Sequence, residues 1–147
     1  MGRVLCIDYG TKRHVIALSD ALRMTARGIE TLERPPTRAK EFEALTDLVR
    51  EHAVDLLVMG LPLNMDGTPG THHAEVVSYA KALSSHLRLD VLLVDERRST
   101  MQAEHHLKVL GTGGWKKRKA RVDEVAAAVI LQSWLDGGAK TGSAEEE

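Results

Sequence analysis

Three stretches of strand-forming character crowd between Arg3 and Leu32, and beyond Pro35-Pro36 short apolar runs alternate with helical periodicity. This ordering restricts the fold more than any other feature. Arg3 to Ile7 reads as a buried strand and Val15 to Leu18 as a second. The turn Asp8-Tyr9-Gly10-Thr11-Lys12-Arg13 between them is short enough for a hairpin, with Gly10 supplying backbone freedom. A third strand is expected from about Thr25 to Leu32. Thr37 can cap a helix whose apolar face is Phe42, Leu45, Leu48 and Val49. Asp55 to Met59 is a buried strand ending at Gly60, and a Gly-, Pro-, Asn- and Asp-rich loop follows to Gly70. Ala74, Val77, Ala80, Leu83 and Leu87 recur at helical spacing. Val91 to Val94 is a further buried strand. Ser99 or Thr100 can cap a helix to about Leu110, and Val122, Val125, Ala126, Val129 and Ile130 mark a last helix to about Leu135. The order β-β-β-α-β-α-β-α-α implies an α/β fold: one mixed sheet with helices on its faces. Residues 1–136 make one domain. From Gly137 to Glu147 apolar residues are few, and a disordered tail is expected.

With 147 residues, 43% of them hydrophobic and 28% charged, the chain can bury a core. No apolar run approaches the roughly 20 residues that span a bilayer, and the start of the chain reads as a strand rather than a signal peptide. A single cysteine, Cys6, excludes an internal disulfide and a cysteine-based zinc cluster, and its apolar strand should leave it inert. A cytoplasmic location is expected. The net charge of −1 conceals an uneven distribution: Lys116, Lys117, Arg118, Lys119 and Arg121 form a basic loop, whereas the tail ends in three glutamates. Nucleic-acid binding would rest on such a local patch.

Three acids fall where an α/β sheet concentrates function. Asp8 closes the first strand, Glu96 follows the last, and Asp123 opens the final helix. Ligands in open α/β sheets bind beyond the carboxyl ends of strands. Clustered carboxylates suit a hard divalent cation, and two such ions about 4 Å apart drive phosphodiester hydrolysis. Two of the acids also have a plainer explanation: Asp123 as a helix cap, Glu96 as a surface partner of Arg97 or Arg98. Asp8 is harder to explain away, because an acid directly after Val4-Leu5-Cys6-Ile7 is expected to be partly buried. Lys12, Arg13, Arg97, Arg98 and the basic loop would surround the same edge and suit a polyanion. The seven histidines lack metal-ligand spacing and are read as surface or partly buried imidazoles. Ser19 and Ser99 lack a nucleophile motif.

The segments Asp8-Tyr9-Gly10-Thr11-Lys12-Arg13, Ala17-x-Ser19-Asp20, Gly60-Leu61-Pro62-Leu63-Asn64-Met65-Asp66-Gly67, Val94-Asp95-Glu96-Arg97 and Val122-Asp123-x-x-Ala126-Ala127 closely resemble the YqgF family, also called RuvX. The resemblance runs in order from about residue 3 to 136. It implies a ribonuclease H-like fold, with a five-stranded mixed sheet flanked by helices. It implies a magnesium- or manganese-dependent nuclease whose metal-holding, catalytic acids map onto Asp8, Glu96 and Asp123. The implied role is maturation of the 5′ end of 16S ribosomal RNA precursor, with Holliday junction resolution as the alternative. Expected partners are structured RNA or branched DNA and the ribosomal precursor particle, with no membrane, and the chain would be a monomer or homodimer. His14-Val15 departs from the family's Ile-Gly, and Ser99-Thr100 from its Thr-Thr. In such a sheet the strand ending at Met59 lies beside the first, and the strand ending at Val94 one place further out. Two other classes compete: an actin-like ATPase, for which the chain supplies one domain rather than two, and a non-catalytic RNA- or ribosome-binding module.

Overall fold

A computed structural model describes residues 2–61, 72–95 and 115–137, of which 61, 95 and 115–124 are described by backbone alone. Five strands form one sheet: β1 (Arg3–Asp8), β2 (Arg13–Ser19), β3 (Ala26–Glu33), β4 (Val54–Leu61) and β5 (Val91–Asp95). The described helices are α1 (Arg38–Glu51), α2 (His73–Leu87) and α3 (Trp115–Asp136). The sheet order is β3-β2-β1-β4-β5. The first three strands form antiparallel hairpins, and β4 and β5 run parallel to β1. The expected mixed sheet, its hairpin start and the outward placement of β4 and β5 are all present. The helix expected from Ser99 to Leu110, the loop from 62 to 71 and the tail from 138 lie outside the described residues.

Strand alternation sorts β1 between two cores. Leu5 and Ile7 face α1 and α2, in a cluster with Leu45, Leu57, Met59 and Leu83. Val4 and Cys6 face α3, in a second cluster with Val15, Ala17, Val58, Val94, Ala127, Ile130, Leu131 and Trp134. β1 and β4, flanked on both sides, carry near-continuous apolar runs for this reason. Cys6 is fully buried. Ser19, also buried, accepts from the Val4 amide at 2.8 Å and donates to the Asp20 carbonyl, so its hydroxyl does structural work.

Two helical faces sit one residue away from expectation. In α2 the buried side chains are Val76, Tyr79, Ala80 and Leu83, while Ala74 is exposed and Val77 half-buried. In α3 the sheet takes Ala126, Ala127, Ile130, Leu131 and Trp134, leaving Val125 and Val129 half-buried beside β3. Both helices contain apolar residues at adjacent positions, so periodicity alone admits two faces; the larger side chains Tyr79 and Trp134 decide. In α1 the expected stripe holds, with one addition: Glu41 lies in it, buried.

The α3 cluster should dominate the closure of the second core. Leu131→Ala, at a fully buried position, is expected to cost about 2–5 kcal/mol, read as a lower urea midpoint with an unchanged m-value.

Candidate active site

β1 leaves the sheet at Asp8, which still pairs with Val15 of β2. By alternation Asp8 shares the face of Val4 and Cys6, the face that α3 covers. It is half-buried, as expected, and lines an open cleft of about 480 Å³ with Tyr9, Thr11, Lys12 and Arg13.

One side chain fixes where α3 meets the start of β3. Gln132 accepts from the Ala26 amide at 2.9 Å and donates to the Met24 carbonyl, which pins this helix position to the start of β3. Ala26 pairs with Ser19, and the neighbouring Leu18 with Leu5, so Gln132 stands near the start of β1. Asp123 precedes Gln132 by nine residues, about 13 Å of helix. Val4 to Asp8 spans about 13 Å of strand. Read back from Gln132 along β1, these lengths would bring position 123 toward the level of Asp8. It also lies one helical turn from the buried Ala127.

Two expectations need correction here. α3 begins at Trp115, so Asp123 is in its third turn and does not open it. A helix cap is therefore not its role. The basic stretch from Lys116 to Arg121 is the first part of the same helix rather than a loop. Lysine, arginine and alanine are good helix formers, and no Gly or Pro falls between Trp115 and Asp136 to interrupt them. Glu96, Arg97 and Arg98 lie outside the described residues. Val94, two residues before Glu96, is on the α3 face and pairs with Gly60 of β4, which has no side chain to stand between β5 and β1. Lys12 and Arg13 are exposed at the tip and far side of the β1–β2 turn.

The opposite side of that turn holds a buried polar network. His14 is fully buried, which corrects the expectation of a surface or partly buried imidazole. Its Nδ1 accepts from the Gly10 amide at 3.2 Å, so the proton sits on Nε2, which faces Glu41 Oε2 at 3.2 Å. The Tyr79 hydroxyl donates to the same oxygen, and Arg34 Nε donates to Oε1 at 2.7 Å. Arg34 Nη1 also donates to the Gly10 carbonyl at 3.0 Å and to the Tyr9 hydroxyl at 3.1 Å, and Tyr9 donates to Glu75 at 2.8 Å. Both polar groups of the Gly10 peptide are thus clamped. A Cβ at Gly10 would stand 2.0 Å from the Arg13 carbonyl oxygen, so only glycine closes this turn.

The charges are settled by these contacts. Burial alone would push the Glu41 carboxyl up, but donors from Tyr79, Arg34 and His14 outweigh it and hold the group below its ordinary range. Burial drives the His14 imidazole down and keeps it neutral, against the pull of Glu41. Burial, reinforced by Glu41, raises the Tyr79 phenol. Burial and Glu75 raise that of Tyr9. The network was findable in part. Glu41 stands at helical spacing from Leu45 and Leu48, an acid inside an apolar stripe, and His14 alternates with Ile16 and Leu18 on one strand face.

The carboxylates of Asp8, Glu96 and Asp123 are an all-oxygen set of the kind hard divalent cations take. Among the described residues no three His, Cys, Asp or Glu side chains gather as a metal site. Only Asp8 of the three is described to its carboxylate.

A family profile described as RuvX, Holliday junction resolvase, matches residues 2–137. The chain belongs to the RuvX family. A Bacillus cytotoxicus member named "Putative pre-16S rRNA nuclease" is 44% identical over 135 residues, 91% of this chain and 98% of the relative. A Bacillus thuringiensis member of the same name is 42% identical over the same share. Among solved structures, Thermus thermophilus RuvC in complex with a Holliday junction substrate has a TM-score of 0.57 at 15% identity, over 97% of this chain and 99% of that one. The fowlpox virus resolvase bound to junction DNA has a TM-score of 0.54 at 11% identity, over 92% and 97%. These likenesses fix the fold of this RuvX member as ribonuclease H-like. No helix of the described chain is long and apolar enough to cross a membrane.

Acid should unpick the network in a defined order. His14 has its folded pKa below the ordinary 6.5, so the unfolded chain takes up its proton first and stability falls as pH drops below that value. The Glu41 contribution has the same sign and is lost only below the ordinary 4.5. The urea midpoint is expected to decline from pH 7 to pH 5, and His14→Gln to flatten that decline.

Proposed function

We propose that this chain is a metal-dependent nuclease that hydrolyses phosphodiester bonds in 5′-end maturation of 16S ribosomal RNA precursor. The observation supporting this reading is the half-buried Asp8 at the carboxyl end of β1, lining an open cleft on the sheet face that α3 covers. Asp8, Glu96 and Asp123 would hold a magnesium or manganese ion. Such an ion, when bound, lowers the pKa of a coordinated water and offsets charge on the phosphate. Asp8, on a buried strand, gives the set a rigid member. The Glu41 network fixes the turn behind Asp8. Lys12 and Arg13 flank the cleft and would orient the polyanion. Arg97, Arg98 and the basic start of α3, with Lys116, Lys117, Arg118, Lys119 and Arg121, would add phosphate contacts that set register rather than sequence choice.

A second reading, resolution of Holliday junctions, is favoured by the description of the family whose profile spans the chain. It would suit a homodimer, which presents two sites to two strands. The RNA role is preferred because the relatives above 40% identity carry that name over nearly their whole length.

The two separate in one experiment. Labelled precursor ribosomal RNA, a four-way DNA junction and simple duplexes are incubated with manganese, magnesium or chelator. Cleavage of the precursor is expected with metal and not with chelator. Asp8→Asn should lower it by more than the roughly 10–100-fold lost when an outer partner of a metal ligand is removed, while the fold, followed by circular dichroism, is kept. Preferential cleavage of the junction would move the assignment to recombination. Binding without turnover under every condition would make the chain a non-catalytic RNA- or ribosome-binding module.

A further inference from the structure

We infer that a second cleft, between the tip of the β1–β2 turn and the first turn of α1, binds a backbone phosphate of the nucleic-acid strand away from the bond that is cut. Its occupant rests on the nuclease reading; its chemistry does not. The cleft holds about 430 Å³ and is walled by Thr11, Lys12, Arg34, Pro36, Arg38 and Glu41.

Its charge balance is positive. Glu41 is the carboxylate in the wall, and both of its oxygens are taken by Arg34, His14 and Tyr79. Arg34 spends its charge on Glu41. Lys12 and Arg38 are left, and among the described residues neither pairs with a carboxylate. Two cations facing one concave space repel each other unless an anion lies between them.

Arg38 is also held in a manner that suits a ligand. Its guanidinium carbon lies 5.8 Å from the Phe42 ring centroid and 5.6 Å from that of Tyr79. Contact through ring faces orients a guanidinium without consuming its N–H donors. Those donors, in a planar fork, match two phosphate oxygens. Tyr79 is itself anchored by Glu41, so the platform is rigid. The amino end of α1, capped by Thr37, adds a favourable dipole of the same sign.

Position supplies the link to chemistry. Thr11 and Lys12 line both this cleft and the cleft of Asp8. A strand with one phosphate at Asp8 passes over Lys12 and brings a later phosphate to Arg38. A substrate too short to cross the turn would lose this contact, so the cleft selects for chain length rather than base sequence.

The test is binding in chelator, where no cleavage occurs. A labelled four-way DNA junction and a structured RNA stem are titrated with the full chain at several salt concentrations. Arg38→Ala is expected to weaken binding about tenfold at low salt and to reduce the log–log salt slope on the DNA junction, whose arms are B-form duplex, by about 0.9, one phosphate's worth. Arg50→Ala, a charge-matched change in the last turn of α1, should leave the slope unmoved. Arg38→Gln keeps the stem over Phe42 and serves if the alanine variant unfolds. An unchanged slope with both Arg38 variants, or an equal loss with Arg50→Ala, overturns the inference. Pyrophosphate binding by calorimetry that depends on Arg38, with no change toward either nucleic acid, would overturn it in favour of a small-anion site. If the slope falls with Arg38→Ala but no metal supports cleavage, the cleft stands and the nuclease reading falls. Cleavage with an unmoved slope gives the reverse.

Discussion

The buried carboxylate of Glu41 is the interaction on which the turn after β1 and its surroundings depend. A charge in an apolar stripe is costly unless every lone pair is met. Here the donors come from the turn before α1, from β2 and from α2, through Arg34, His14 and Tyr79. Satisfying one acid therefore ties three separate elements to α1. Two of the same donors, the imidazole of His14 through its other nitrogen and the guanidinium of Arg34, reach the Gly10 peptide. The turn that follows Asp8 is thus shaped from below by side chains on the far side of the sheet. His14 suits this setting. An isoleucine there would leave the Gly10 amide and one Glu41 contact without a partner, whereas the imidazole answers both.

The sheet has a division of labour that follows from strand alternation. One face of β1 is devoted to packing against α1 and α2, and the other carries the acid. Because β1 is central, with β2 antiparallel on one side and β4 parallel on the other, Asp8 is surrounded by rigid backbone. α3 packs across that face.

Much of this was legible from residues. β1, β2, β4 and β5 announced themselves as short apolar runs, whereas β3, largely polar and exposed, gave a weaker signal; the hairpin start followed from spacing too short for a crossover. Asp8 was legible as a half-buried acid because nothing in Val4-Leu5-Cys6-Ile7 could terminate it in solvent. The start of α3 was not, because helical lysines and arginines look like a solvated loop when charge is weighed above propensity. The exact buried faces of α2 and α3 were not, because adjacent apolar residues leave two faces equally plausible. Glu41 escaped for another reason: its partners are distant in the chain, and only the fold brings Arg34, His14 and Tyr79 to one oxygen pair.

The Gln132 anchor and the α3 cluster bear on the order in which the molecule is built. Every described strand of the sheet precedes α3 in the chain, and among the described residues the helix that covers Val4, Cys6, Val15 and Ala17 is complete only when residues up to Trp134 have been synthesised. Synthesis adds roughly 5–20 residues each second, so this apolar face stays open for seconds on a growing chain. Arrival of α3 and completion of the second core are then the same event, and a chain released before Trp134 would expose a sticky sheet.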